Sequence, residues 1–231
     1  MTDLIENNTI NNIQYNIEDF TQSQSHGLFW DNEIRVKVFC LPPCKNDTKK
    51  YDILCTENTF NPEENISIKT SSNNNIDCGD IMRFFNGDFT KKYTIILLRY
   101  SQLDNLKKIK EVIEINYNQE LRNYLFGSIS EEQLNEYVEF IKSIPSGPVS
   151  SEVKKIYINL KNNLQKEHNM NINISPKVDS KNQRRVQCSI PKIDSILANF
   201  PEAVISRTEE PLVRGINITS IINSARRQRN K

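Results

Sequence analysis

A mixed α/β fold, with a mixed central β-sheet flanked by helices, is predicted by three features of this 231-residue chain. Short apolar runs of strand character alternate with runs of helical period. One run, Tyr93-Thr94-Ile95-Ile96-Leu97-Leu98-Arg99-Tyr100, is almost continuously apolar, as a strand buried on both faces requires. Two later segments open on a serine followed by acids, which is the start signal of a helix.

Residues 1–24 are Asn-rich, with weak apolar periodicity at Ile10, Ile13 and Ile17, and read as an arm or a loosely packed helix. Residues 26–39 are expected to be helical, although Ile34, Val36 and Val38 also alternate like a strand. Leu41-Pro42-Pro43 breaks that element. Residues 51–56 and 66–71 read as short strands separated by a turn around Pro62, and residues 78–85 as a helix. Residues 92–100 form the central strand, 113–117 a further strand. Ser130 opens a helix carrying Leu134, Tyr137, Val138 and Ile141, which Pro145-Ser146-Gly147-Pro148 ends. Ser150 opens a second amphipathic helix through Val153, Ile156, Tyr157, Leu160 and Leu164. Residues 170–174 and 185–190 read as strands around a charged, hairpin-like loop. The division expected is an arm over 1–25, a core over 26–145, and a C-terminal helical and β-hairpin lobe over 146–231, separate from the core or continuous with it.

A net charge of +1 excludes a global basic field, so a nucleic-acid partner must be met by local patches. Cys40 and Cys44 are spaced like half of a zinc site, but no second half accompanies them. Reduced thiols are the expectation. The polar, acidic N-terminus is no signal peptide, and no run approaches the ~20 apolar residues of a membrane span. A soluble, intracellular, cytoplasmic protein with no membrane partner is expected.

Chemistry concentrates in two short apolar runs. Tyr51-Asp52-Ile53-Leu54 carries an acid, and Ile66-Ser67-Ile68-Lys69-Thr70 carries a lysine. Either charge is costly in a half-buried sheet without a partner. Spacing of this length suits neighbouring strands joined by a turn.

On these residues, the stretch 26–100 resembles the catalytic core of the PD-(D/E)xK nuclease superfamily, which includes most type II restriction endonucleases. The resemblance implies a restriction-endonuclease-like core in which Asp52 is the metal-binding acid and Lys69 the catalytic lysine. Glu33 matches the additional acid that many members place on the preceding helix. Ser67 departs from the pattern, since most members carry an acid there. One branch brings the second carboxylate from the following helix, and Asp80 is assigned that metal-binding role, with Glu64 and Asp77 as alternatives. The implied cofactor is Mg²⁺, one or two ions per site.

The implied function is Mg²⁺-dependent, site-specific cleavage of double-stranded DNA. Ser71 and Asn73, after the lysine strand, are candidates for backbone contacts. Lys177, Lys181, Gln183, Arg184 and Arg185 are candidates for DNA reading, because Arg suits guanine edges and Gln adenine edges. The basic tail 226–231 suits phosphate tracking. Cutting both strands of a palindrome implies a homodimer. The alternatives are a non-catalytic DNA-binding or interaction protein on a nuclease-like scaffold, and a repair or junction nuclease of the same superfamily.

Overall fold

A computed structural model of the chain describes residues 9–10, 13–14, 25–44, 50–178 and 183–223. The elements in chain order are β1 (Thr9–Ile10), β2 (Ile13–Gln14), α1 (Ser25–Glu33), a π-helical turn (Ile34–Val38), β3 (Glu64–Ser71), β4 (Ile76–Asp80) and α2 (Ile81–Phe85). Then come β5 (Lys92–Leu103), β6 (Leu106–Asn116), α3 (Gln119–Phe126), α4 (Glu131–Ser143), α5 (Ser151–Glu167), β7 (Asn173–Val178) and β8 (Arg184–Ile190). The chain ends with α6 (Ile193–Asn199), a 3₁₀ turn (Pro201–Ala203), β9 (Val204–Thr208), β10 (Leu212–Val213), β11 (Ile216–Asn217) and β12 (Ile221–Asn223). The class is mixed α+β, as the alternation of patterns predicts. Among the described residues no helix is long and apolar enough to cross a membrane.

The chain groups into two compact units, each built from separate stretches. The first contains Met1–Asn73, Thr94–Ile115 and Val204–Lys231; the second contains Asn74–Tyr93 and Asn116–Ala203. The sequence predicts one main boundary near Pro145, whereas this grouping follows the strands that return to each sheet.

In the first unit the sheet runs β12-β6-β5-β3, and β9 also pairs with β6. β12 runs antiparallel to β6 at Leu106–Lys108, and β9 antiparallel to it at Val112–Ile115. The apolar run of β5 is buried from Tyr93 to Leu98, matching its expected place inside a sheet. Ile66 and Ile68 of β3 meet Phe29, Trp30 and Ile34 in the core. By the two-residue period of a strand, Ser67 and Lys69 share the opposite face. Trp30 is fully buried, and its indole N–H donates to the Thr219 carbonyl at 2.9 Å.

The expected helix over 26–39 splits. α1 ends at Glu33, and the next turn widens, with the Phe39 amide donating to the Ile34 carbonyl at 3.2 Å. The expected strand over 51–56 reduces to one bridge, Ile53 to Ile66. The chain turns immediately afterwards, where Glu57 N donates to the Leu54 carbonyl at 2.9 Å.

The second unit carries the antiparallel sheet β4-β8-β7. The expected helix over 78–85 is half strand: Cys78, Gly79 and Asp80 belong to β4, which pairs with β8 through a bulge between Asp77 and Gly79. The helix starts only at Ile81, capped by Asp80. Pro176 sits in β7, which lies at the sheet edge where a missing N–H is tolerated. The serine starts hold as read: Ser130 and Gln133 form a capping box on α4, and Ser150 caps α5. On α5 only Tyr157 of the expected apolar face is buried, while Ile156 and Leu160 are exposed. Phe84 stacks on Tyr117 at 4.3 Å, and Phe85 meets Phe126 edge-on at 4.9 Å.

Gly127, at φ +62°, ends α3 directly against the α5 terminus. A Cβ there would lie 1.8 Å from the His168 carbonyl oxygen, which also accepts the Ser128 amide at 3.0 Å. Gly127→Ala is therefore expected to destabilise the chain by about 3 kcal/mol or more. Urea unfolding measures this directly; a loss under ~1 kcal/mol would show that the two backbones separate easily.

Candidate active site

Asp52 and Lys69 meet as the sequence reading expects. Lys69 Nζ lies 3.6 Å from Asp52 Oδ2, and both side chains are partly exposed. The fold locks the Asp52 segment to β3. Its amide donates to the Ile66 carbonyl at 2.9 Å, and Oδ2 accepts the Ile68 amide at 2.6 Å. The strand that carries the lysine thus also holds the acid, through one main-chain and one side-chain bond.

Asp31 of α1 is a second carboxylate, within reach of the charges of this pair. Burial raises its carboxyl from the ordinary 3.8 to about 7, and the negative charge of Asp52 adds to the rise. The positive charges of Lys69 and Arg35 act against it. Asp31 Oδ1 is buried with no hydrogen-bond partner, the one such side-chain atom among the described residues. A buried oxygen left without a donor is expensive, and such groups concentrate at functional sites.

Glu33, the acid expected in the site, has another task. It is fully buried, and its two oxygens each accept the Thr219 amide at 3.0 Å. Oε1 also accepts the Thr219 hydroxyl and pairs with Lys37 Nζ, both at 2.7 Å. Together with Trp30, one turn earlier, Glu33 grips the backbone of Thr219. Acids two residues apart on a helix point roughly 200° apart. Asp31 and Glu33 therefore serve different surroundings, and the sequence pattern singles out only Glu33.

Glu64 is also committed elsewhere. It is fully buried, and both oxygens face Arg214, at 2.9 Å to Nη2 and 3.2 Å to Nη1. Asn58 Nδ2 donates to Oε2 at 3.1 Å, and the Thr94 hydroxyl donates to Oε1. Ser67 is buried on β3. Asp80 lies in the second unit, where Oδ1 accepts the Arg83 amide at 3.0 Å and caps α2. Asp77, in the same unit, accepts the Gly79 amide at 3.0 Å across its bulge.

Ser71 is buried, and its hydroxyl donates to the carbonyl and Oδ1 of Asn73, both at 3.1 Å, so the pair forms a turn after β3. In the second unit, Lys177 and Arg185 stand opposite each other in the β7–β8 ladder. Arg185 is exposed, Gln183 and Lys177 partly so. The Arg184 guanidinium holds the chain that leaves α4, with Nε 3.0 Å from the Ile144 carbonyl and Nη2 3.0 Å from that of Gly147. Lys181 and the tail 226–231 lie outside the described residues.

Among the described residues, no group of three or more His, Cys, Asp or Glu side chains is arranged around a common point as a metal cage. No protein-family model, curated protein or solved structure matches the chain.

Proposed function

We propose that the first unit carries a phosphodiester nuclease site, and that the chain is a Mg²⁺-dependent endonuclease acting at specific sites in double-stranded DNA within the cell. The observation that carries this reading is the Asp52–Lys69 pair at 3.6 Å, accompanied by the buried, unpartnered oxygen of Asp31, whose carboxyl feels both of their charges. In this reading Asp31 stands in for Asp80 as the second metal-holding acid, and for Glu33 as the acid supplied by α1.

The donor set fits Mg²⁺. This ion is held by one or two carboxylates plus substrate phosphate oxygens, and does not need a full protein cage. Asp31 and Asp52 would hold it, and the bare Asp31 oxygen would gain the partner it lacks. Bound there, the ion would polarise the phosphate and favour a hydroxide-like water. Lys69, 3.6 Å from Asp52, would orient that water and offset charge developing on the phosphorus. With its carboxyl raised to about 7, Asp31 is partly protonated near neutral pH, and that proton must leave before it acts as a ligand. Arg185, Gln183 and Lys177 remain the residues proposed to contact bases, and cutting both strands would use a homodimer.

Plasmid cleavage with Mg²⁺ tests the reading. Wild-type protein is expected to linearise DNA, and Lys69→Ala to lose roughly 10²–10⁴-fold in rate with DNA binding retained. Undiminished cutting by Lys69→Ala would remove the assignment. Salt-sensitive DNA binding by the wild type without cleavage in Mg²⁺ or Mn²⁺ would point instead to a non-catalytic DNA-binding protein. A preference for branched over linear duplex would point to a junction nuclease.

A further inference from the structure

We infer that Arg35 is a positioning residue, which fixes the main chain of Asp52 so that its carboxylate stays on β3 beside Lys69. The inference rests on the reading of Asp52 as a site carboxylate. Arg35 lies in the π-helical turn after α1 and is buried. Its Nη1 donates to the carbonyl of Asp52, and its Nε donates to the carbonyl of Pro42 at 3.2 Å. One planar guanidinium thus ties together the segment leaving the π turn and the segment that carries the acid.

The wide turn makes this reach possible. The Leu41 amide returns to the Arg35 carbonyl at 2.8 Å, which folds the Pro42 carbonyl back over its side chain. Widened turns of this kind recur at functional sites. With Arg35 in place, three handles on Asp52 are held at once. The amide goes to the Ile66 carbonyl, the carbonyl receives Arg35, and Oδ2 receives the Ile68 amide. Among the described residues a single β-bridge anchors this stretch to the sheet, so the guanidinium supplies an order that a longer strand would otherwise provide. Arg35 also brings positive charge beside Asp31, four residues earlier on the helix.

Amide hydrogen exchange on metal-free protein tests this. The Ile68 amide reports the Asp52 carboxylate directly, and the Ile109 amide, bonded to the Ser220 carbonyl at 2.8 Å, reports the intact unit. In Arg35→Met the Ile68 amide is expected to exchange at least about tenfold faster while Ile109 stays protected. Arg35→Lys keeps the charge but cannot fork to two carbonyls, so it is expected to loosen Ile68 as well, and it stands in if the Met variant does not fold. Unchanged Ile68 exchange in a folded variant overturns the inference. This readout needs neither metal nor DNA, so it can fail in a protein that cuts DNA and hold in one that does not. A matching rise of about tenfold in the Mg²⁺ concentration for half-maximal thermal stabilisation would link the positioning to the ion.

Discussion

Asp31→Asn is expected to abolish Mg²⁺ binding and DNA cleavage while making the metal-free protein more stable at pH 8. Burial, reinforced by Asp52, raises the Asp31 carboxyl from 3.8 to about 7 in the folded chain. Between those values the folded state holds a proton that the unfolded state has lost. Stability therefore falls as pH rises from about 4 to about 7, and stays at the lower level above that. A rise of this size corresponds to about 4 kcal/mol in a dry site, and partial access of water brings the expected cost to about 2 kcal/mol. Asparagine cannot ionise, so the variant should match the wild type near pH 4 and exceed it by about that amount at pH 8. Adding Mg²⁺ should reverse the order, because only the wild type gains ligand-linked stability. Cleavage should drop by at least about a hundredfold, the equivalent of a few kcal/mol of lost metal-assisted stabilisation. Thermal unfolding at pH 4 and pH 8, with and without Mg²⁺, decides the matter. A variant that is less stable at pH 8 and still responds to Mg²⁺ would show that Asp31 is an ordinary structural acid.

The helix starts at Ser130 and Ser150 and the buried strand β5 were legible because each rests on local rules: a side-chain oxygen over free amides, or a run of apolar residues too long for one face. Asp52 and Lys69 were legible because charge in an apolar run demands a partner. That Glu33 is claimed by a backbone contact was not legible. It depends on which helix face meets the core, and the contact that claims Glu33, Thr219, lies 186 positions away. The split of residues 78–85 was hidden for a similar reason, since β4 exists only because β8 pairs with it. The hairpin β10–β11 did leave a signal. Arg214-Gly215 occupies its two-residue turn at φ +53° and +77°, the conformation that such turns require and that glycine favours.

That turn sets up the largest expected loss of stability. Arg214 projects from it between two buried carboxylates, Glu64 and Glu114, with Nε 2.6 Å from Glu114 Oε2 and the fork on Glu64. Burial works against the guanidinium charge, but the hydrogen bonds to Glu64 and the charges of Glu114 and Glu64 more than offset it, holding its proton more firmly than usual. The three side chains join β3, β6 and the hairpin, so no single contact of the apolar core can substitute for them. Removing one member of such a group leaves buried charge uncompensated, which costs about 3–5 kcal/mol. Arg214→Gly isolates this effect, because glycine relieves the left-handed turn while deleting the cation. If the charge dominates, Arg214→Gly should lose about 3–5 kcal/mol in urea unfolding despite its easier backbone, and Arg214→Lys distinctly less. The triple change Arg214→Met with Glu64→Gln and Glu114→Gln should recover much of the deficit, since it removes the stranded charges as well as their partner. A stable Arg214→Gly protein would instead mean that water reaches Glu64 and Glu114 once the guanidinium is gone, and that the hairpin is held by Val213 and Ile218 in the core.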